Sequence, residues 1–201
     1  MAKKTVAKKS EYEIEVKRSR FIGCAFPVSS AEEAEGIIAA VRAANRKARH
    51  VVYAYIIGNA TGYSDDGEPK KTAGLPIFDY LRKEGLDGVL VTVTRYFGGI
   101  LLGTGGLVKA YTDAAKGAVT AAGEAELVNC AVFRFEGDYQ SAERLRAAVS
   151  SYAADISIDY GEKTAVTVAV RAEDADRFKK EASELFRGQS PAFIGERTVV
   201  K

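Results

Sequence analysis

The stretch from Gly88 to Ala122, GVLVTVTRYFGGILLGTGGLVKAYTDAAKGAVTAA, limits the possible folds more than any other part of the chain. Val89 to Phe97 is a nearly unbroken β-branched and aromatic run, the pattern of a central strand covered on both faces. Leu107 to Ala122 is Ala-rich, with Leu107, Tyr111, Ala114 and Ala118 at the spacing of one helical face, and predicts a packed helix. Between them lie Gly98, Gly99, Gly103, Gly105 and Gly106, so a strand leads through a loop almost without side chains into a helix start. Amides in such a loop can approach an oxyanion that bulkier residues would hold away, and a helix N-terminus favours negative charge. Neither nucleotide fingerprint fits, because Gly98 to Gly106 does not read G-x-x-x-x-G-K-[ST] and no G-x-G-x-x-G follows the strand. The same glycines would also let strand and helix pack closely or supply positive φ, and both readings stand.

Around this segment the periodicities predict two domains. Residues 1–9 read as a flexible tail. EYEIEVK from Glu11 alternates strictly and predicts a half-exposed strand, and Arg18 and Ser19 turn into a second strand, Arg20 to Val28. Ser30 with Glu33 forms a capping-box pattern ahead of a helix striped by Ala34, Ile37, Ile38 and Val41. Val51 to Ile57 is another apolar strand, Asn59 to Gly74 a long polar loop, and Leu75 to Lys83 a short helix with Pro76 in its first turn. Gly123 and Glu124 to Glu126 read as a linker that divides 10–123 from 127–201. Beyond it come a strand (Asn129 to Phe135), a helix (Tyr139 to Ser151), a hairpin turning at Gly161-Glu162, a last helix striped by Ala175, Phe178, Ala182 and Leu185, and a strand from Ala192 to Val200. That βαββαβ order closes most simply as a ferredoxin-like sandwich, which makes the chain α+β.

Composition excludes several functions. Charged content of 28% and hydrophobic content of 47% are those of an ordinary globular protein, and no apolar run approaches a membrane span. The basic N-terminus lacks the apolar stretch of a secretory signal, which points to the cytoplasm. Cys24 and Cys130 lie far apart in apolar runs and read as reduced, buried thiols. His50 is the single histidine, so a multi-histidine metal centre within one chain is ruled out, and any Ser-His or Cys-His pair would have to use it. A net charge of +2 is too mild to announce a nucleic-acid binder, although 18 Lys and Arg face 14 Asp and Glu through residue 125, against 11 and 13 beyond it.

Candidate site residues cluster in the first domain. Arg46, Lys47 and Arg49 make the densest positive charge outside the tail, either a solvated helix end or one edge of a polyanion site. Asp65, Asp66 and Glu68 have the chemistry of a hard-cation site but not the spacing of an EF-hand, and Asp-Gly and Glu-Pro are also turn chemistry. His50 is a candidate general base or a satisfied structural residue. Nothing in the second domain forms a catalytic constellation, and no cofactor is expected.

Ser64 to Pro69 (SDDGEP), Thr72 to Gly74 (TAG) and Arg95 to Gly103 (RYFGGILLG), running on into Gly103 to Leu107 (GTGGL) and then Lys109, Ala110 and Tyr111, resemble the YigZ/IMPACT family. The likeness extends to SRFIG at Ser19 to Gly23 and to His50, Tyr53 and Ala54. The chain departs from the family pattern at Lys70-Lys71, where Ser-Gly is frequent, and at Leu75, where Lys is frequent. The resemblance implies a left-handed βαβ domain like domain IV of elongation factor G, followed by a ferredoxin-like domain like its domain V. It also implies a role in translation, since eukaryotic relatives affect the control of initiation under amino-acid starvation.

Two functions follow as expectations. The first is a non-enzymatic translation-associated regulator binding RNA or a ribosome-associated partner through Arg46, Lys47, Arg49, Lys70, Lys71, Arg95 and Lys109, with Tyr53, Tyr55, Tyr96 and Phe97 as stacking surfaces and the glycine loop supplying amides. The alternative is an enzyme or ligand-binding protein holding a phosphorylated small molecule at Gly98, Gly99, Gly103, Thr104, Gly105 and Gly106. There Lys109 or Arg95 would neutralise charge, and Asp65, Asp66, Glu68 or His50 would hold magnesium or move a proton.

Overall fold

The computed structural model describes residues 3–161, 164–186 and 190–201, which fall into two compact units, Met1–Leu127 and Val128–Lys201. In the first unit a five-stranded antiparallel sheet runs in the order β2 (Ser10–Val16), β3 (Ser19–Pro27), β6 (Val89–Tyr96), β4 (His50–Ile57), β5 (Ala60–Ser64). β6 is central, as its composition predicts, and is buried from Val89 to Arg95. β3 and β4 both run antiparallel to it and are joined through α1 (Ala31–Ala44).

Strand alternation divides the core. Ile22, Cys24, Phe26, Leu90, Tyr53 and Tyr55 pack with Ala34, Ile37, Ile38 and Val41 of α1. Phe21, Ala25, Val52, Ala54, Val89, Val91 and Val93 pack on the other face with α2 (Gly74–Lys83) and α3 (Thr104–Ala122). The Cys24 thiol, raised to about 11 first by burial and then by the Glu11 carboxylate, is an inert core group. α1 opens much as its sequence predicts. The Ser30 hydroxyl accepts from the Glu33 amide at 3.2 Å, while the Glu33 carboxylate reaches the amide of Ser29, one residue earlier than a regular capping box.

Three expectations are corrected. The first nine residues are not simply a loose tail: Lys3–Val6 form β1, paired antiparallel with Glu124 to Leu127. The expected linker at Glu124 to Glu126 is therefore strand, the start of β7 (Glu124–Gly137). Thr5 and Val6 are fully buried, and the Asp87 carboxylate takes Lys3 Nζ at 2.5 Å and the amides of Gly58 at 2.6 Å and Gly88 at 2.7 Å. Two lysines at its start disguise this strand as a solvated arm. Finally, the polar loop after Asn59 contains β5, whose Gly62 leaves room for the Tyr55 ring; a Cβ there would lie 2.5 Å from it.

The second unit follows its predicted order: the rest of β7, α4 (Tyr139–Val149), β8 (Asp155–Tyr160), β9 (Thr164–Arg171), α5 (Ala175–Leu185) and β10 (Ala192–Val200). Its sheet order is β10-β7-β9-β8, the ferredoxin-like arrangement, with Phe133, Phe135, Val166 and Val168 under Leu145, Val149 and Phe178 of the helices. The predicted turn residue Glu162 lies outside the described residues. Among the described residues no helix is long and apolar enough to cross a membrane.

Two glycines with opposite surroundings test this packing. A Cβ on Gly23 of β3 would lie 2.4 Å from the Ala114 carbonyl oxygen of α3, whereas one on Gly36 of α1 meets nothing within 4 Å. Gly23→Ala is expected to cost about 1–3 kcal/mol in denaturant unfolding, and Gly36→Ala to gain about 0.4–1 kcal/mol. Asp87 tests the docking of β1. Burial would raise its pKa, but Lys3 and the two amides outweigh burial and hold it below its ordinary value. A carboxyl depressed in the folded state contributes stability above its unfolded pKa and loses it as pH falls through the folded value. Unfolding measured between about pH 5 and about pH 2 should therefore show a steeper loss of stability in the wild type than in Asp87→Asn.

Candidate functional site

Because adjacent strands are antiparallel, the end of β6 lies beside the starts of β3 and β4, with Arg95 opposite His50 and Phe21. Four connections meet at this end of the sheet: the β2–β3 turn, the segment from α1 to β4, the loop before α2, and the glycine loop from β6 to α3. The Arg49 amide donates to the Arg95 carbonyl at 3.1 Å. Asp66 ties two of the connections together by accepting the Val51 amide at 2.7 Å and pairing with Arg42 at 2.9 Å.

Beneath them lies a buried polar network. Glu68 Oε1 accepts from Arg95 Nη1 at 2.6 Å and from the Tyr111 hydroxyl at 2.7 Å, with the Glu68 and Arg95 side chains 4% and 6% exposed. Arg95 Nη2 reaches the Ser19 hydroxyl at 3.4 Å, while its Nε is buried without a partner among the described residues. Burial, then the hydrogen bond to the Glu68 carboxylate, push the Tyr111 hydroxyl far above the usual phenol range, so it remains a donor. His50 Nδ1 lies 2.7 Å from the Asp66 carbonyl oxygen. A carbonyl only accepts, so Nδ1 carries the proton and Nε2 faces Glu68 Oε1 at 3.7 Å.

A cavity of about 330 Å³ opens above this network. Its wall joins Arg49, His50, Glu68, Pro69 and Arg95 to Phe97, Leu101, Leu102, Gly103, Thr104 and Leu107. The glycines around it divide by role. Gly98 meets a packing demand, since a Cβ there would lie 2.0 Å from the Arg18 carbonyl, and its amide donates to the Ser19 hydroxyl at 3.1 Å. Gly99 and Gly103 supply positive φ, 85° and 75°. Gly105 does neither: it is exposed in the first turn of α3, with nothing within 4 Å of its Cβ position. α3 has no side-chain cap, and its first internal bond from the loop side runs from the Leu107 amide to the Gly103 carbonyl at 3.0 Å. The amides of Thr104, Gly105 and Gly106 are thus the uncapped donors of that helix start.

The predicted site residues separate into three groups. Glu68, Arg95, His50, Gly103 and Thr104 meet at the cavity, with Arg49 at its edge. Arg46, Lys47, Arg49, Lys70, Lys71 and Lys109 are exposed and form no ion pair among the described residues. Tyr53, Tyr55 and Tyr96 fall on the α1 side of the sheet: Tyr53 and Tyr55 stack on each other at 6.3 Å, and the Tyr96 hydroxyl donates to Asn45 at 2.8 Å. Of the four expected stacking aromatics, only Phe97 lies at the cavity, 40% exposed beneath the Arg49 guanidinium.

The three acids weighed as a hard-cation site have separate partners. Asp65 accepts the amides of Lys71, Ala73 and Gly74 at 2.7 to 3.1 Å, Asp66 holds Val51 and Arg42, and Glu68 neutralises Arg95. These carboxylates organise loops, and no group of three acidic, Cys or His residues among the described ones converges as a metal site. Arg95, expected to face an anion, is buried against Glu68 instead. Sequence reasoning also missed Ser19 and the hydroxyl of Tyr111 as members of the network, although both lie in the segments SRFIG and GTGGLVKAY that carry the family likeness.

Residues 17–119, which contain this whole site, match the model of the Impact N-terminal domain, and residues 136–189 match a domain of unknown function, DUF1949. The protein named IMPACT family member YvyE from Bacillus subtilis is 32% identical over 201 residues, 98% of this chain and 93% of that one. IMPACT family member YigZ from Escherichia coli is 45% identical over 102 residues, 48% of this chain and 50% of that one. A crystal structure titled only as that of a hypothetical protein aligns with a TM-score of 0.66 at 29% identity, covering 100% of this chain and 97% of the other.

The buried pair makes a direct prediction. Glu68→Leu leaves the Arg95 charge uncompensated and should destabilise the first unit by about 3–5 kcal/mol in urea unfolding. Adding Arg95→Met to that variant should recover most of the loss, because no buried charge then remains.

Proposed function

The chain belongs to the IMPACT family, and from that membership together with the charge left exposed at one end of its first unit we propose that it is a non-enzymatic, translation-associated regulatory protein of the cytoplasm that docks on RNA. One observation carries this reading: at the end of the sheet where four connections meet, every candidate carboxylate is engaged, while five exposed cations form no ion pair among the described residues. Asp65, Asp66 and Glu68 are held by amides or arginines, while Arg46, Lys47, Arg49, Lys70 and Lys71 stand exposed on the adjoining segments. Lys17 and Arg18, which the sequence did not single out, add two exposed cations at the β2–β3 turn. Such a surface attracts a phosphate backbone without reading sequence. Phe97, 40% exposed in the cavity wall, offers a stacking surface beside it.

The alternative, an enzyme or ligand protein for a phosphorylated small molecule at the glycine loop, draws support from the open amides of Thr104 to Gly106. It has less to work with than the sequence suggests, because Arg95 is neutralised by Glu68 and the acids meant for magnesium hold the backbone.

Filter binding of the full chain to a single-stranded RNA oligomer at about 50 and about 200 mM salt tests the proposal. Binding is expected to weaken steeply with salt. The triple variant Arg46→Ala/Lys47→Ala/Arg49→Ala should lower the slope of log K against log salt by about two, given about 0.7 per phosphate contact on single strands. Absent binding, or binding indifferent to salt, overturns the reading.

A further inference from the structure

The cavity has features that an RNA surface does not use. Glu68 Oε1 takes the bonds from Arg95 and Tyr111 and faces His50, whereas Oε2 of the same side chain, 4% exposed and in the cavity wall, takes no hydrogen bond among the described residues. Among the described residues the buried side-chain atoms without a partner are Thr92 Oγ1 and Arg95 Nε, so Glu68 Oε2 is open to the cavity it lines and can accept from a donor there. Across the same cavity stand Gly103 and Thr104, where the uncapped start of the 19-residue α3 presents amides that call for an anion. The wall between is apolar, formed by Phe97, Leu101, Leu102 and Leu107. Phe97, Ile100, Leu101 and Val108 are 40%, 41%, 81% and 36% exposed, an apolar strip beside the cavity mouth.

We infer that this cavity takes the C-terminal residue of a partner polypeptide. The terminal carboxylate sits on the α3 amides, the terminal side chain lies against the leucines, and the backbone N–H donates to Glu68 Oε2. The preceding residues cover the exposed strip. Charge favours a carboxylate over a phosphate, because Arg95 is neutralised by Glu68 and leaves Arg49 as the single uncompensated cation in the wall, enough for a monoanion. The apolar wall favours an apolar last residue, and capture of a chain terminus by backbone amides is a known recognition mode. This inference shares Arg49 with the RNA surface but rests otherwise on residues that RNA docking does not use.

Amide chemical shifts of the 15N-labelled full chain, titrated with N-acetyl-L-leucine, test it. Saturable shifts are expected at Thr104, Gly105, Gly106 and the 97–102 loop, with an affinity of about millimolar for so small a probe. N-acetyl-L-leucinamide, which lacks the charge, should bind at least about tenfold more weakly. Gly105→Glu places a carboxylate at an exposed, unobstructed helix start that tolerates acids, so it should fold and block the probe. Leu101→Asp, at a position 81% exposed, should do the same from the wall. Equal binding of acid and amide, no saturable shift, or unchanged binding by both folded variants overturns the inference. So does tighter binding of inorganic phosphate or of free L-leucine at the same amides, which would make the cavity a phosphate or free amino-acid site. RNA binding separates the two proposals: Arg46→Ala/Lys47→Ala, at two exposed cations outside the cavity wall, should weaken RNA binding and leave the shifts caused by N-acetyl-L-leucine unchanged.

Discussion

The Glu68–Arg95 pair is the constraint from which the architecture of this end of the first unit follows. Arg95 sits on the most buried strand, β6, on the face that packs beneath α2 and α3. A guanidinium there has to be matched by an opposite charge, because desolvation without a partner would exceed what the surrounding core contributes. Glu68 can reach it only if the segment before α2 folds inward. Asp65 makes that path possible by collecting the amides of Lys71, Ala73 and Gly74, and Asp66 by anchoring to β4 through Val51. Tyr111 then brings α3 to the same carboxylate oxygen, and Ser19 brings the start of β3 to the same arginine. Four separate connections are thereby referred to one buried pair.

The sequence made much of the fold legible and much less of the site. The period-two and 3.6-residue patterns located β6, α1, α3 and nearly all of the second unit, because burial on one face or two writes itself directly into residue choice. It hid β1 because lysines open it, and hid β5 because that strand is five residues long and carries a glycine for the Tyr55 ring. Partners far apart along the chain decide both cases, and local propensity does not encode them. The site residues were found but their roles were exchanged. Asp65, Asp66 and Glu68 look like ligands for a cation when read as a cluster, yet each has a different partner, and two of those partners include main-chain amides that leave no trace in side-chain identity. Likewise Tyr53, Tyr55, Tyr96 and Phe97 look like one aromatic surface in sequence, and strand alternation sends three of them to the far face.

The glycines show how much a single motif can conceal. Five of them between Gly98 and Gly106 suggest one purpose, but Gly98 answers to the Arg18 carbonyl, and Gly99 and Gly103 answer to backbone conformation. Gly105 alone has neither reason to be glycine on structural grounds. A residue that could carry a side chain without clash or strain, at a helix start where alanine is favoured over glycine, is where the fold itself asks for nothing. Bare main chain at that position keeps the α3 amides reachable from outside.

That reachability and the engagement of the acids have a common origin. Had Asp65, Asp66 or Glu68 projected into solvent at this end, the negative charge would have cancelled the field of Arg46, Lys47, Arg49, Lys70 and Lys71 and repelled any anion from the α3 start. By drawing the carboxylates inward to order the loops, the fold stabilises the connections and leaves positive potential outside them. One buried ion pair thus governs both the rigidity of the loops and the sign of the surface they present, so stability and binding at this end change together when the pair is altered. They separate only at positions such as Gly105 and Arg46, which lie outside the network.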